Sequence, residues 1–132
     1  MSHNILEFQN GDLIIKSGVY EKRMYIILEG SVAISLSDDN NNKVVVANLL
    51  KGDFFGEISL FYDQPRTADV IALGYVKLVF IDNKDQLKLF LIKNSGFAAK
   101  MVYILAQRLA KTDEILIGKI SELNRLKIGG QV

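Results

Sequence analysis

The placement of glycine constrains this chain more than any other feature. From Ile5 to about Asp82 the residues come in short β-branched and apolar runs, punctuated by Gly11, Gly18, Gly30, Gly52, Gly56 and Gly74. Leu13-Ile14-Ile15, Met24 to Leu28, Ser31 to Ser37, Lys43 to Leu50 and Tyr75 to Ile81 read as strands. Within Ser31 to Ser37 the alternation predicts Val32, Ile34 and Leu36 on one face and the serines mostly on the other. Asp38-Asp39-Asn40-Asn41-Asn42 reads as a hairpin tip, because Asn and Asp tolerate left-handed backbone and bond their own main chain. Many short strands with glycine turns argue for a sandwich or barrel.

After Asp82 the texture changes. Asn83 is placed to cap a short helix running through Lys93, with Leu87, Phe90 and Leu91 at helical spacing. Asn94-Ser95-Gly96 breaks it, and Ser95 is a candidate cap for a second helix. From Phe97 to about Lys127 there is no proline and only Gly118, which predicts one long helix. Its apolar residues fall at Met101, Leu105, Leu109, Leu116, Ile120, Leu123 and Leu126, and Thr112 interrupts the row. About 30 residues of helix span roughly 45 Å, more than the breadth of a small β-barrel. Either the helix packs on its own barrel and frays beyond it, or it forms a coiled-coil-like seam. The second reading is favoured, a homodimer through Leu109, Leu116, Ile120 and Leu123.

Composition closes off several kinds of chemistry. A length of 132 residues fits a single domain, with strands over about 5–82 and helices over about 83–127. The absence of cysteine excludes disulfides, thiolate metal sites and a Cys nucleophile. The lone histidine, His3, argues against a His-rich metal cluster or a His general base. Sixteen basic residues against 15 acidic ones give a net charge of +1, too little to single out nucleic acid or an acidic membrane as partner. No apolar run spans a bilayer and Met1-Ser2-His3-Asn4 lacks the character of a signal peptide, so the expectation is a cytoplasmic protein without membrane contact.

The chemistry concentrates in Gly52-Asp53-Phe54-Phe55-Gly56-Glu57-Ile58-Ser59-Leu60-Phe61-Tyr62-Asp63-Gln64-Pro65-Arg66-Thr67-Ala68. A short helix starting at Gly56 would present free backbone N–H groups from residues 57 to 60, an arrangement that suits an anion. Gly56 permits close approach to the main chain. Arg66 supplies a forked, permanently charged donor, and Thr67 adds a hydroxyl. Pro65, the only proline, fixes the backbone just before Arg66. Glu57 would repel an anion but would accept hydrogen bonds from a sugar hydroxyl, which points to a sugar phosphate or nucleotide. Equally open is a plain reading, with Glu57 favoured by the helix dipole and Arg66 a surface charge.

The segment Phe55-Gly56-Glu57-Ile58-Ser59-Leu60…Pro65-Arg66-Thr67-Ala68 resembles the phosphate-binding cassette of cyclic nucleotide-binding domains. Gly11-Asp12…Ile15…Gly18 and Met24-Tyr25-Ile26-Ile27…Gly30-Ser31-Val32 are similar to that family's first strands. Leu105-Ala106-Gln107-Arg108-Leu109-Ala110-Lys111-Thr112 resembles the long helix of its catabolite activator group. The resemblance runs from about Ile5 to Leu116. It implies a mainly β fold with added helices: a double-stranded β-helix, or jelly-roll-like β-roll, followed by a short and a long helix. It implies that Gly56, Ile58, Ser59, Arg66, Thr67 and Ala68 hold the cyclic phosphate and that Glu57 bonds the ribose 2′-hydroxyl. It places Ile34, Ala47 and Leu49 in the base pocket and brings Thr112 to the base. Arg108 would pair with Glu57 and couple the helix to the roll. Cyclic AMP is the preferred ligand; Thr67, after the cassette arginine, keeps cyclic GMP open.

The chain departs from the family pattern in places. Val19 follows Gly18 where many relatives carry an acidic residue, Asp113 stands beside Thr112, and the helix that often precedes the roll is missing. No helix-turn-helix follows the long helix, so direct DNA binding is not expected. The leading reading is a non-enzymatic cyclic-nucleotide sensor without a cofactor or metal, acting through a dimer or an unidentified effector protein. The alternatives are a degenerate domain serving protein contacts without ligand, and a cupin-like metalloenzyme, which the histidine count disfavours.

Overall fold

A computed structural model describes residues 4–129, with side chains through Asn124. The elements are β1 (Ile5–Phe8), β2 (Leu13–Ile15), β3 (Met24–Ser37), β4 (Lys43–Leu50), β5 (Phe54–Phe55), α1 (Glu57–Phe61), β6 (Asp69–Ile81), α2 (Lys84–Lys93) and α3 (Ser95–Gly129). They fall into two compact units, residues 1–93 and 94–132. The short helix α2 thus belongs with the strands.

In the first unit all strand pairings are antiparallel. The backbone order is β1-β6-β3-β4, with β2 also on β6 and β5 also on β3. The long β3/β6 ladder runs from Met24↔Ile81 to Ser35↔Asp69, and its register shifts on either side of Glu29. Such shifts bend a strand pair and increase its twist. The two runs read separately from the sequence, Met24 to Leu28 and Ser31 to Ser37, are therefore one bent strand. The strand expected at Tyr75 begins instead at Asp69. Gly30 makes the bend possible: its φ is +85°, and a Cβ there would lie 2.1 Å from the Tyr75 carbonyl oxygen.

Burial along Ser31–Ser37 does not follow the expected division into an apolar inner face and a serine outer face. Ser35 is buried and Leu36 exposed. The β3/β4 register shift between Ile34 and Ser35 places an extra residue, Val46, on β4, while β3 stays in unbroken register with β6 from Ser31 to Ser35. The hairpin tip behaves as its composition predicts. The Asp38 carboxylate accepts from the Asn40 and Asn42 amides at 2.9 and 2.8 Å, and Asn41 is left-handed at φ 63°.

Ile15, Tyr25, Ile27, Val32, Phe55, Val70, Ala72, Val76 and Leu78 form the core, drawn from four strands. Burying each large side chain contributes about 1.5–3 kcal/mol before chain entropy is charged. The core thereby fixes the ends of β3, β5 and β6, from which the site is built. Asn83 caps α2, accepting from the Gln86 amide at 2.9 Å, while the Gln86 side chain accepts from the Asp82 amide at 2.8 Å.

The second unit is α3, 35 residues long. The Ala98 amide donates to the Asn94 carbonyl at 3.0 Å at its start. Leu109, Leu116, Ile120 and Leu123 are all exposed; the side chain of Leu126 lies outside the described residues. No single helix among the described residues is long and apolar enough to cross a membrane.

Candidate functional site

The strand β5 positions the site. Phe54 and Phe55 are buried and pair with Ile26 and Tyr25. The Tyr25 and Phe55 rings stack with centroids 5.2 Å apart. Directly after this anchor, Gly56 takes φ 81° and ψ 10° and opens α1, with no side-chain cap. The predicted single helical turn is therefore present. Its first-turn amides have no acceptor within a helix this short. Ser59 and Leu60 are buried, Glu57 is half-buried and Ile58 is exposed.

The loop after α1 returns Arg66 to the same place. Its amide donates to the Val19 carbonyl at 2.9 Å, and its own carbonyl accepts from the Gly18 amide at 2.8 Å. These two bonds hold the Arg66 backbone against the turn before β3. Its side chain is buried, only 6% of the residue being exposed. Nη1 donates to the Gly56 carbonyl at 3.2 Å, and Nη2 to the Arg23 carbonyl at 2.5 Å and to Glu21 Oε1 at 3.1 Å. Nε, also buried, has no hydrogen-bond partner among the described residues. The plain reading of Arg66 as a surface charge is thus overturned. A buried cation is tolerated only with counter-charge and acceptors around it.

Glu21 and Tyr25 complete this arrangement, and neither stood out in the sequence. The Tyr25 hydroxyl donates to Glu21 Oε1 at 2.5 Å, the oxygen that also takes Arg66. Burial, with the Glu21 carboxylate second, pushes the Tyr25 hydroxyl well above the usual phenol range. Tyr25 therefore stays a donor, and Glu21 keeps its acceptor oxygen aimed inward. A buried Arg66 requires a carboxylate near it, and Glu21 is the nearest acidic residue N-terminal to β3. Arg23 contributes twice: its carbonyl takes Arg66, and its guanidinium pairs with Asp82 at 2.8 Å over the Phe80 ring.

Asp69 is a third residue the sequence did not single out. It is buried, accepts from the Ser17 amide at 2.7 Å and pairs with Lys43 at 2.6 Å. The Lys43 ammonium, with the Ser17 amide next, holds its carboxyl below the usual carboxylate range. It ties the Ser17 turn to the start of β6, fixing both ends of the segment that presents Arg66. Thr67 is exposed and Ala68 half-buried between Arg66 and Asp69.

The apolar residues assigned to a base pocket lie together on neighbouring strands. Ile34 and Ala47 are cross-strand partners, and Leu49 is opposite Val32. Ile34 and Leu49 pack partly buried against the core. Val70, four residues beyond Arg66, pairs with Ile34 from the other side. The cassette and the apolar strand residues are thus joined through β6. On α3, the Thr112 hydroxyl donates to the Arg108 carbonyl at 2.9 Å, a bond internal to the helix, and Thr112 is exposed. His3 lies outside the described residues, among which no three His, Cys, Asp or Glu side chains group to hold a metal.

A jelly roll that buries an arginine beside a left-handed glycine, with apolar strand residues one ladder away, suits a small molecule. Such a ligand has an anion at one end and a flat apolar group at the other. That describes a class of ligand-binding β-rolls. The profile of the cyclic nucleotide-binding domain family matches residues 5–93, and the chain belongs to that family. It is 39% identical over 82 residues to a cAMP-dependent protein kinase regulatory subunit of Dictyostelium discoideum, covering 60% of this chain and 25% of that one. The chain thus spans about a quarter of that relative's length. Among solved structures it is similar to cAMP-bound PfPKA-R, with a TM-score of 0.57 and 35% identity over 59% of this chain and 28% of that one. It shares the fold of the Thermus thermophilus catabolite activator protein, with a TM-score of 0.71 and 22% identity over 85% and 52% of the two chains.

Proposed function

We propose that this chain is a cyclic-nucleotide sensor that prefers cyclic AMP, with cyclic GMP as the competing ligand, and that it acts by binding and not by catalysis. The carrying observation is the buried Arg66 guanidinium beside the Gly56 turn, whose Nε–H has no acceptor among the described residues. A buried donor without a partner loses its hydration for nothing in return, and a phosphate oxygen would restore that bond. The phosphate contacts are assigned to the backbone at Gly56, Ile58 and Ser59 and to Arg66, Thr67 and Ala68. Glu57 takes the ribose hydroxyl. Ile34, Ala47 and Leu49 form the apolar bed for the purine. The Dictyostelium relative, named as a cAMP-dependent protein kinase regulatory subunit, and the cAMP-bound PfPKA-R structure favour cyclic AMP.

Two further assignments belong to the same reading. Thr112 contacts the base, giving up its bond to the Arg108 carbonyl, and Arg108 pairs with Glu57, so that ligand binding biases the position of α3. A second copy covers Leu109, Leu116, Ile120 and Leu123 to form a homodimer. The test of the cassette is Arg66→Ala. Calorimetric titration with cyclic AMP should show binding weakened by roughly 2–4 kcal/mol, the loss expected when a buried, charge-assisted partner is removed. Unchanged affinity would refute the assignment.

A further inference from the structure

A groove lined by Phe61, Lys84, Leu87, Lys88, Leu91 and Ile92 lies between α1 and α2, with a volume of about 430 Å³. All six residues belong to the first unit. Leu87 is buried at its floor, Leu91 is half-buried, and Phe61 and Ile92 are exposed along its length. The charged residues lining it are both lysines. They stand four residues apart on α2, so they share one face and one edge of the groove. Lys84 Nζ sits 5.7 Å from the centroid of the Phe61 ring. No carboxylate lines the groove, and neither lysine forms an ion pair among the described residues.

From this arrangement we propose that the groove docks an acidic amphipathic helix of a partner protein. Leucine-like residues at i, i+3, i+4 and i+7 seat on Phe61, Leu87, Leu91 and Ile92, the helix-in-groove mode of recognition. Glutamates or aspartates flanking that row meet Lys84 and Lys88. Charge complementarity selects the partner: a basic or neutral helix would meet the same apolar floor but would leave both ammonium groups opposed or unanswered. The proposal requires no nucleotide in the cassette and stands apart from the ligand assignment.

The experiment titrates the isotope-labelled whole chain with two synthetic amphipathic helices that share one leucine row, one flanked by glutamate and the other by lysine. The acidic peptide should shift the backbone resonances of α1 and α2 around Phe61, Leu87 and Leu91. The Lys84→Glu, Lys88→Glu double variant, changed only at exposed positions, should bind it about tenfold more weakly and should accept the basic peptide instead. Equal affinity for the two peptides, or an unaltered preference in the double variant, would overturn the proposal. So would shifts outside the groove. Concentration-dependent shifts at these same residues without peptide would overturn it in favour of a second copy as the occupant.

Discussion

A guanidinium keeps its charge at any pH a protein meets, so Arg66 can be buried only if its surroundings answer that charge. They do so with the Gly56 and Arg23 carbonyls and the Glu21 carboxylate, itself shared with Tyr25. The consequence is a fixed arginine, which in the proposed site would leave little ordering entropy to be lost on binding. Asp69 holds the loop from its other end, and its contribution depends on pH. Its carboxyl is lowered in the native state by Lys43 and the Ser17 amide. The stabilisation is therefore complete above about pH 4, the unfolded-chain value, and disappears as pH falls through the lowered native one. Asp69→Asn should thus be clearly less stable than the parent to urea at pH 7, and the gap should narrow on acidification below about pH 4. A gap that is constant with pH would show that the pairing carries no linkage.

Of the elements, β3 shows most plainly what the sequence reveals and what it hides. Its apolar runs were legible, because β-branched residues between glycines have few other uses. That the runs join through Gly30 was not, since a glycine reads equally well as a turn between strands or a bend within one. The distinction is tertiary: Gly30 lies against the Tyr75 carbonyl of β6. Gly30→Ala should therefore destabilise the domain by more than about 2 kcal/mol, combining a left-handed backbone with a clash against main chain. An unchanged melting temperature would contradict the bent strand. In the cassette the opposite balance holds. Gly56, the single turn of α1 and the return of Arg66 were legible because their spacing is local. Glu21 and Tyr25 were not, because they lie 45 and 41 residues from Arg66 and only folding brings them to it.

For the whole molecule, the exposed row on α3 carries the assembly claim. Leu109, Leu116 and Leu123 recur at seven-residue steps with Ile120 between, and each is at least half exposed. If a second copy covers them, the Leu116→Lys, Leu123→Lys variant should sediment as a monomer and the parent as a dimer. A parent that remains monomeric at high concentration would contradict the seam. Family membership explains the roll and the cassette, whereas the proposed output rests on α3 and on the groove beside α1. The sensor assignment presupposes a ligand. The most direct measurement is a side-by-side calorimetric titration of the intact chain with cyclic AMP and cyclic GMP. Saturable binding of both is expected, with cyclic AMP the tighter, and a rise in melting temperature that tracks occupancy. Absence of heat and of any melting shift with either nucleotide at millimolar concentration would contradict the sensor assignment, leaving a cyclic nucleotide-binding fold that binds none.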